Sequence, residues 1–165
     1  MASVVGVFTS PARKSGRSER HERRQAIPGQ GLDGCAHANP PKREVLFVSK
    51  EHLDSVDVEP GAIRENITVE GTDVEQWPVG QRVRAGEAEF EITMVCDPCH
   101  RMDELRNGLR TELQGKRGML ARVVEAARSP SATRSNCSSA SCPFRPLSRG
   151  LTPDKAVCDD RRARS

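Results

Sequence analysis

Two cysteines in a Cys-x-x-Cys arrangement are the residues of this sequence best suited to chemistry. They lie in the segment Cys96-Asp97-Pro98-Cys99-His100-Arg101. A thiolate is a nucleophile and a soft metal ligand, and it is favoured by unpaired amide hydrogens at a helix start and by nearby cations such as His100 and Arg101. The predicted role is a reactive thiolate at Cys99, with Cys96 as a candidate resolving thiol or simply the end of a strand.

The segments on both sides of this pair predict how it is positioned. Ala88 to Val95 alternates in hydrophobicity, so Ala88, Phe90, Ile92 and Met94 are expected to face a core. Pro98 cannot donate to a sheet ladder, and the acidic residues after Met102 suit a first helical turn. Leu105, Leu109 and Leu113 then predict one helix from Asp103 to Leu113. The cysteines should therefore lie in a turn between a strand and a helix.

Short β-rich runs account for most of the remaining ordered sequence. Ser49 is a candidate cap for a helix that ends near Val56. Many short strands at close spacing favour a mainly β fold, either a barrel or a sandwich. Val74 to Val79 carries the only Trp. The further strand candidates are Ser3 to Thr9, Arg23 to Ile27, Glu44 to Val48, Ile67 to Glu70, Gln81 to Ala85 and Gly118 to Val124.

Composition restricts the location and the partners of the protein. The formal net charge is +3, from 26 basic and 23 acidic residues, so charge does not support a nucleic-acid or membrane partner. No apolar run approaches the roughly 18 to 20 residues that span a bilayer, and Met1 to Ser10 lacks the features of a signal peptide. We expect a cytoplasmic protein whose cysteines are thiols or ligands rather than a disulfide framework.

The last part of the sequence differs in composition from the rest. From residue 127 to residue 165 the chain is rich in Ser, Arg and Pro and has no hydrophobic period. Such a segment cannot bury enough apolar surface to offset its ordering entropy, so 127–165 is predicted to be a disordered tail. The abrupt change also suggests the hypothesis of a shifted reading frame, which resequencing the locus would test.

Five motifs follow one another along the chain. They are Val4-Val5-Gly6-Val7-Phe8-Thr9-Ser10-Pro11, Gly31-Leu32-Asp33-Gly34 with His37 downstream, Arg43-Glu44-Val45-Leu46-Phe47-Val48-Ser49, Arg64-Glu65-Asn66-Ile67, and Cys96-x-Pro98-Cys99-His100-Arg101. In this order they resemble the motifs of the MOSC domain, the C-terminal domain of molybdenum cofactor sulfurases. The resemblance extends over roughly Ser3 to Val124, and it implies a MOSC-type β-barrel with a few short helices over residues 1–126.

The resemblance also implies a function. The family's essential cysteine, in the Pro-Cys position, maps to Cys99, which would carry sulfur or contact molybdenum in the molybdenum cofactor (molybdopterin). The chain lacks the pyridoxal-phosphate domain of larger sulfurases, so a cysteine desulfurase is the expected sulfur donor and a molybdoenzyme the expected acceptor. The residues expected to bind the cofactor as an anion pocket, by side chain or by backbone, are Gly31, Gly34, His37, Arg43, Arg64, Asn66, His100 and Arg101. Glu65 is alternatively expected to form a salt bridge with one of these arginines.

Two departures from the family pattern leave other functions open. Cys35 and Ala36 stand where the family commonly has Asp and Arg, and the usual closing strand is not found after Val124. A missing closing strand would leave an exposed edge. The alternatives are a non-catalytic cofactor- or anion-binding module with a degenerate site, a structural zinc site and, more remotely, a Cys-x-x-Cys redox protein.

Overall fold

A mixed eight-stranded sheet dominates the structure, a computed structural model that describes residues 1–12, 18–36 and 42–126 and the backbone of Arg145–Leu147. The strands of the sheet are β1 (Ser3–Thr9), β2 (Glu19–His21), β5 (Val45–Ser49), β6 (Ile67–Glu70), β7 (Arg82–Ala85), β8 (Ala88–Val95), β9 (Met119–Glu125) and β10 (Arg145–Leu147). A separate ribbon is formed by β3 (Ala26–Ile27) and β4 (Gly31–Leu32). The helices are α1 (Lys50–Ser55), α2 (Arg101–Leu105) and α3 (Leu109–Glu112).

The order of the strands requires one long connection, between β5 and β6. The sheet runs β10-β7-β8-β9-β5-β6-β1-β2. Its parallel neighbours, β5 and β6, pair through Phe47 and Ile67. Parallel neighbours need a crossover connection, and here the crossover consists of α1 and the loop 56–66. That loop carries Arg64.

The mainly β prediction is confirmed, whereas the barrel stays a prediction. Among the described residues, β10 and β2 lie at opposite ends of the sheet and are not paired with each other. Arg145–Leu147 falls inside the segment predicted to be disordered, yet it pairs with β7, whose free edge offers unpaired backbone groups. The rest of 127–165 lies outside the described residues, so the predicted disorder there stays a prediction.

Two clusters of buried side chains lie on the two faces of the sheet. In the first, the ring of Phe47 packs edge-on against Trp77 and Phe90, with ring centroids 5.7 and 5.2 Å apart. The second cluster joins the sheet to the helices and the crossover loop. Its buried members are Leu46, Val48, Leu53, Val56, Ile63, Met102, Leu109, Leu113 and Leu120. Every residue of β5 is buried because this strand contributes to both clusters.

An irregularity in β8 turns the end of this strand toward the helices. Ala88, Phe90 and Ile92 are buried in the first cluster, as predicted. The pairing of β8 with β9 shifts register between Ile92 and Met94. A bulge moves the following side chains to the other face, so Met94 packs against the second cluster, as does Cys96.

One predicted helix is wrong. The helix expected from Asp103 to Leu113 is divided into α2 and α3, because Arg106 adopts an extended conformation with φ −155° and ψ 129°. Its guanidinium donates to the carbonyl of Val56 at 2.9 Å and pairs with Glu112. Leu105 is accordingly exposed.

The segment from Val74 to Val79, which carries the single tryptophan, contains no strand. Its first residues, Val74–Gln76, form a short 3-10 helix, because the Asp73 carboxylate accepts a hydrogen bond from the amide of Glu75 at 3.2 Å. Within the described residues, no helix is both long and apolar enough to cross a membrane.

Candidate functional site

The predicted strand, turn and helix start around the two cysteines are confirmed. Beyond Val95, the amide of Cys96 still donates to the carbonyl of Gly118 at 3.0 Å, which keeps this residue against β9. Pro98 is buried and Cys99 is exposed. The amide of Met102 donates to the Cys99 carbonyl at 3.0 Å. Because α2 has only 5 residues, its macrodipole contributes little, and side-chain charges are the main electrostatic influence.

The two thiols lie in different surroundings. Cys96 is half-buried and packs against the second cluster. Burial raises the pKa of the Cys96 thiol, although the charges of Arg117 and Arg43 act in the opposite direction. Cys96 is therefore held as a neutral thiol, while the exposed Cys99 is the thiol that an external molecule can reach.

Arg64 is the cation that the fold places beside Cys99. Its backbone has φ 64°, in the left-handed region that residues other than glycine rarely adopt. Burial and the nearby charge of Arg101 lower the pKa of the Arg64 guanidinium. The negative charges of Glu104 and the Cys99 thiolate act in the opposite direction. These side chains therefore interact electrostatically at one place on the surface.

A shallow cavity lies next to these groups. Its volume is about 210 Å³. It is lined by Ala62, Arg64, Arg101, Met102, Glu104 and Leu105. Two guanidinium groups facing one concave surface provide a place for an anion.

Two buried charged residues fix the loop that presents Arg64. The Glu65 carboxylate accepts hydrogen bonds from the amide of Gly61 and, at 3.1 Å, from the hydroxyl of Thr68. The Arg117 guanidinium donates to the carbonyl of Ile63 at 2.6 Å. Burial raises the pKa of Glu65, whereas the Gly61 hydrogen bond and the charge of Arg117 lower it.

Arg117 was not predicted from the sequence. It stands between Lys116 and Gly118, a context typical of a solvated turn, yet it is only 7% exposed. Its Nε and Nη1 atoms are buried without a hydrogen-bond partner among the described residues. The sequence feature that could have indicated the burial of Arg117 is its position just before the buried strand β9. The charge of Arg117 acts on the Glu65 carboxylate, and the predicted salt bridge of Glu65 with Arg43, Arg64 or Arg101 stays a prediction.

The Asn66 side chain forms hydrogen bonds with three separate parts of the fold, namely β1, β5 and the segment after β4. Its amide nitrogen donates to the Phe8 carbonyl at 3.2 Å and to the sulfur of Cys35 at 3.4 Å. Its oxygen accepts from the amide of Leu46 at 3.1 Å. Asn66 thus has a structural role, and its predicted contact with a cofactor stays a prediction.

The other predicted cofactor residues lie in different surroundings. Gly31 has φ 87°, and a Cβ there would lie 2.4 Å from the Glu44 carbonyl oxygen, so the close approach of two backbones requires glycine. Gly34 is exposed near the guanidinium of Arg24. Arg43 is exposed and influences Cys96, and His100 is exposed and pairs with Glu104 at 3.7 Å. His37 lies outside the described residues. The structure thus brings Cys99, Arg64 and Arg101 together, and the cofactor roles of all the predicted residues stay predictions.

Solved structures with the same fold include two YiiM proteins. YiiM from Escherichia coli is 20% identical, with a TM-score of 0.66 over 90% of this chain and 71% of that chain. YiiM from Geobacillus stearothermophilus is 16% identical, with a TM-score of 0.67 over 92% and 77%. YuaD from Bacillus subtilis is 18% identical, with a TM-score of 0.65 over 76% and 90%. These likenesses concern the fold.

A further solved structure and two sequence comparisons bear on the family of this chain. This chain spans 63% of the length of another similar solved structure, a hypothetical protein. No curated protein gives a significant match. The sequence model of the MOSC domain matches residues 35–134, which is more than half of the 165 residues, and the chain therefore belongs to the MOSC domain family.

Proposed function

We propose that this MOSC domain binds the molybdenum cofactor, or a related anionic ligand, beside α2, and that it uses Cys99 as a sulfur-carrying or metal-contacting thiolate. The observation that carries the proposal is the position of Cys99. It is exposed, and its charge acts on Arg64, one of the two arginines that line the neighbouring cavity. A thiolate and an anion-binding surface in one place match a ligand that has both a soft metal and a phosphate.

The residues present fit such a ligand. Guanidinium groups bind phosphate through paired hydrogen bonds, so Arg64 and Arg101 would hold the phosphate of a pterin. Thiolates suit soft metal centres, so Cys99 would be the protein's contact with molybdenum. The bound cofactor would supply the metal. The left-handed backbone of Arg64, fixed by Glu65 and Arg117 on either side of the loop, is the kind of local strain that folded proteins retain at functional sites.

Sulfur transfer to Cys99 is a simple exchange. The Cys99 thiolate attacks the terminal sulfur of a persulfide on a cysteine desulfurase. The sulfur–sulfur bond of the donor breaks, the donor leaves as a thiolate, and Cys99 holds the persulfide. A molybdoenzyme would then accept this sulfur. Because Cys96 is half-buried and neutral, it would not compete as the attacking nucleophile.

A second candidate is a binding module without catalysis. It is favoured by Cys35, which stands at a position where the family commonly has an acid. The Cys35 side chain is 8% exposed and accepts a hydrogen bond from Asn66. With its sulfur buried and accepting this hydrogen bond, Cys35 does not offer the carboxylate that the family commonly has there, whereas anion binding by Arg64 and Arg101 would persist.

The test is to purify the protein and the variants Cys99→Ser and Arg64→Gln, and to measure bound molybdenum, bound pterin and persulfide after incubation with a cysteine desulfurase. Cys99→Ser should lose the persulfide, and Arg64→Gln should lose the pterin. Arg110→Gln, an exposed arginine on α3, is the matched control. Full persulfide loading and full cofactor binding by Cys99→Ser would refute the role of Cys99. Binding of pterin without any persulfide in the unaltered protein would favour the binding module.

A further inference from the structure

A second group of polar side chains lies away from the cysteines, where α1 meets the turn after β6. His52 is on α1, and Asp73 and Glu75 are in the turn. The Nδ1 atom of His52 is 2.9 Å from Oε2 of Glu75, and its Nε2 atom is 3.8 Å from Oδ1 of Asp73. One ligand atom from each residue lies within 4.8 Å of the other two. Within the described part of the chain, no other group of His, Cys, Asp and Glu meets this criterion.

The Glu75 carboxylate is the most unusual member of this group. Its side chain is only 10% exposed. Its Oε2 atom contacts Nδ1 of His52 at 2.9 Å, whereas Oε1 is buried without a hydrogen-bond partner among the described residues. Burial raises the pKa of Glu75, although the charge and the hydrogen bond of His52 oppose this. A buried carboxylate oxygen without a hydrogen bond is costly, so Oε1 needs a further partner.

The turn that carries two of these side chains is held in place by its backbone. The Ser49 hydroxyl donates to the Thr72 carbonyl at 3.0 Å and accepts from the Val74 amide at 2.8 Å. The amide of Gly71 donates to Glu51 on α1 at 2.6 Å. These bonds on both sides of Asp73 hold the three side chains close together before any ligand binds.

We propose that His52, Asp73 and Glu75 bind a divalent transition-metal ion of the zinc type. One imidazole nitrogen and two carboxylate oxygens suit Zn²⁺, which binds such atoms at about 2.0 to 2.2 Å, so two of its ligands lie about 3 Å apart. The separation of Nδ1 and Oε2 agrees with that spacing. Hard ions such as Mg²⁺ prefer oxygen ligands alone. The carboxylate of Asp73, with a side chain that is 46% exposed, leaves room for water on the remaining side of the ion.

The ion would connect two parts of the fold that are otherwise joined by hydrogen bonds. It would link α1 to the turn that leads from β6 to β7. Its role would be to stabilise this junction, because its three ligands come from the two parts of the fold that meet there. This proposal is independent of the function proposed for Cys99.

The experiment uses the full chain after treatment with EDTA and removal of the chelator. Zn²⁺ binding is measured by calorimetry, and Co²⁺ binding is measured by absorption, because thiolate ligation adds a charge-transfer band in the near ultraviolet. We expect one ion per chain, no thiolate band at that first equivalent, and a rise in Tm with Zn²⁺ concentration by mass action. Glu75→Gln and Asp73→Asn should each weaken binding at least about tenfold, since even changes behind a ligand cost that much.

The control and the second variant separate metal binding from folding. Asp54→Asn alters an exposed acid on α1 that pairs with Lys50, and it should leave Zn²⁺ affinity unchanged. In Asp73→Asn the side-chain oxygen can still accept from the Glu75 amide, so this variant should fold even if others do not. Unchanged Zn²⁺ affinity in Glu75→Gln and Asp73→Asn would overturn the proposal. So would a first Co²⁺ equivalent with a thiolate band that Cys99→Ser removes.

Discussion

Replacement of Arg117 by leucine tests the idea that this buried cation fixes the loop of Arg64. The change removes the hydrogen bond from the guanidinium to the Ile63 carbonyl, and hydrogen bonds of charged groups contribute about 1.5 to 3 kcal/mol. It also leaves Glu65, which is 1% exposed, without its neighbouring cation. Removing one member of a buried pair in direct contact costs about 3 to 5 kcal/mol. These two charges act on each other without such a contact, so we expect a loss of about 3 kcal/mol in the free energy of unfolding.

The assay is urea denaturation followed by the fluorescence of Trp77, the single tryptophan, which is 7% exposed in the folded protein. Arg110→Leu is the control, because an exposed arginine should change the stability by no more than about 0.5 kcal/mol. The double variant Glu65→Gln/Arg117→Leu should recover part of the loss, with a coupling free energy of about 1 kcal/mol or more. Equal losses in Arg117→Leu and Arg110→Leu, or strictly additive effects in the double variant, would refute the reasoning.

Three further predictions follow from the described contacts. Burial raises the pKa of Glu65, so the folded protein keeps this proton to a higher pH than the unfolded chain. Stability should therefore fall as the pH rises from the ordinary carboxyl pKa through the raised one, and Glu65→Gln should lessen that fall in urea titrations between about pH 4 and pH 8. Mass spectrometry of peptides alkylated by iodoacetamide should show faster labelling at Cys99 than at Cys96, because of these two thiols Cys99 is the exposed one; the reverse order would contradict the assignment. Gly118→Ala should cost roughly 2 to 4 kcal/mol, because the new Cβ would lie 2.0 Å from the Phe47 carbonyl oxygen. Gly115→Ala, with open space around it, should cost only about 1 kcal/mol in the same thermal unfolding assay.

Local patterns predicted the elements around the cysteines well. The alternation of Ala88, Phe90 and Ile92 matches their burial in one cluster, and the predicted strand Ile67 to Glu70 is present as β6. These segments have the two-residue period that burial of one face imposes. The turn after Cys96 was predictable because Pro98 cannot continue the ladder.

Long-range contacts account for the wrong and the missing predictions. Leucine spacing predicted one helix to Leu113. The chain instead leaves the helical conformation at Arg106, whose guanidinium contacts the Val56 carbonyl 50 positions away, and local sequence does not encode that contact. Arg117 is buried because the crossover loop covers it and Ile63 accepts its hydrogen bond. Neither partner is near it in sequence. The bulge that redirects Met94 and Cys96 likewise depends on the register with β9.

The hydrogen bond between Arg117 and Ile63 also determines when, during translation, the loop of Arg64 can become fixed. It joins chain positions 54 residues apart, and Arg117 is the later of the two to leave the ribosome. Until that guanidinium has emerged and β9 has docked against β5, the nascent crossover loop lacks this clamp. We therefore expect that ligand capture at Arg64 is a post-translational event, and that ribosome-bound fragments ending before residue 117 do not retain an anion.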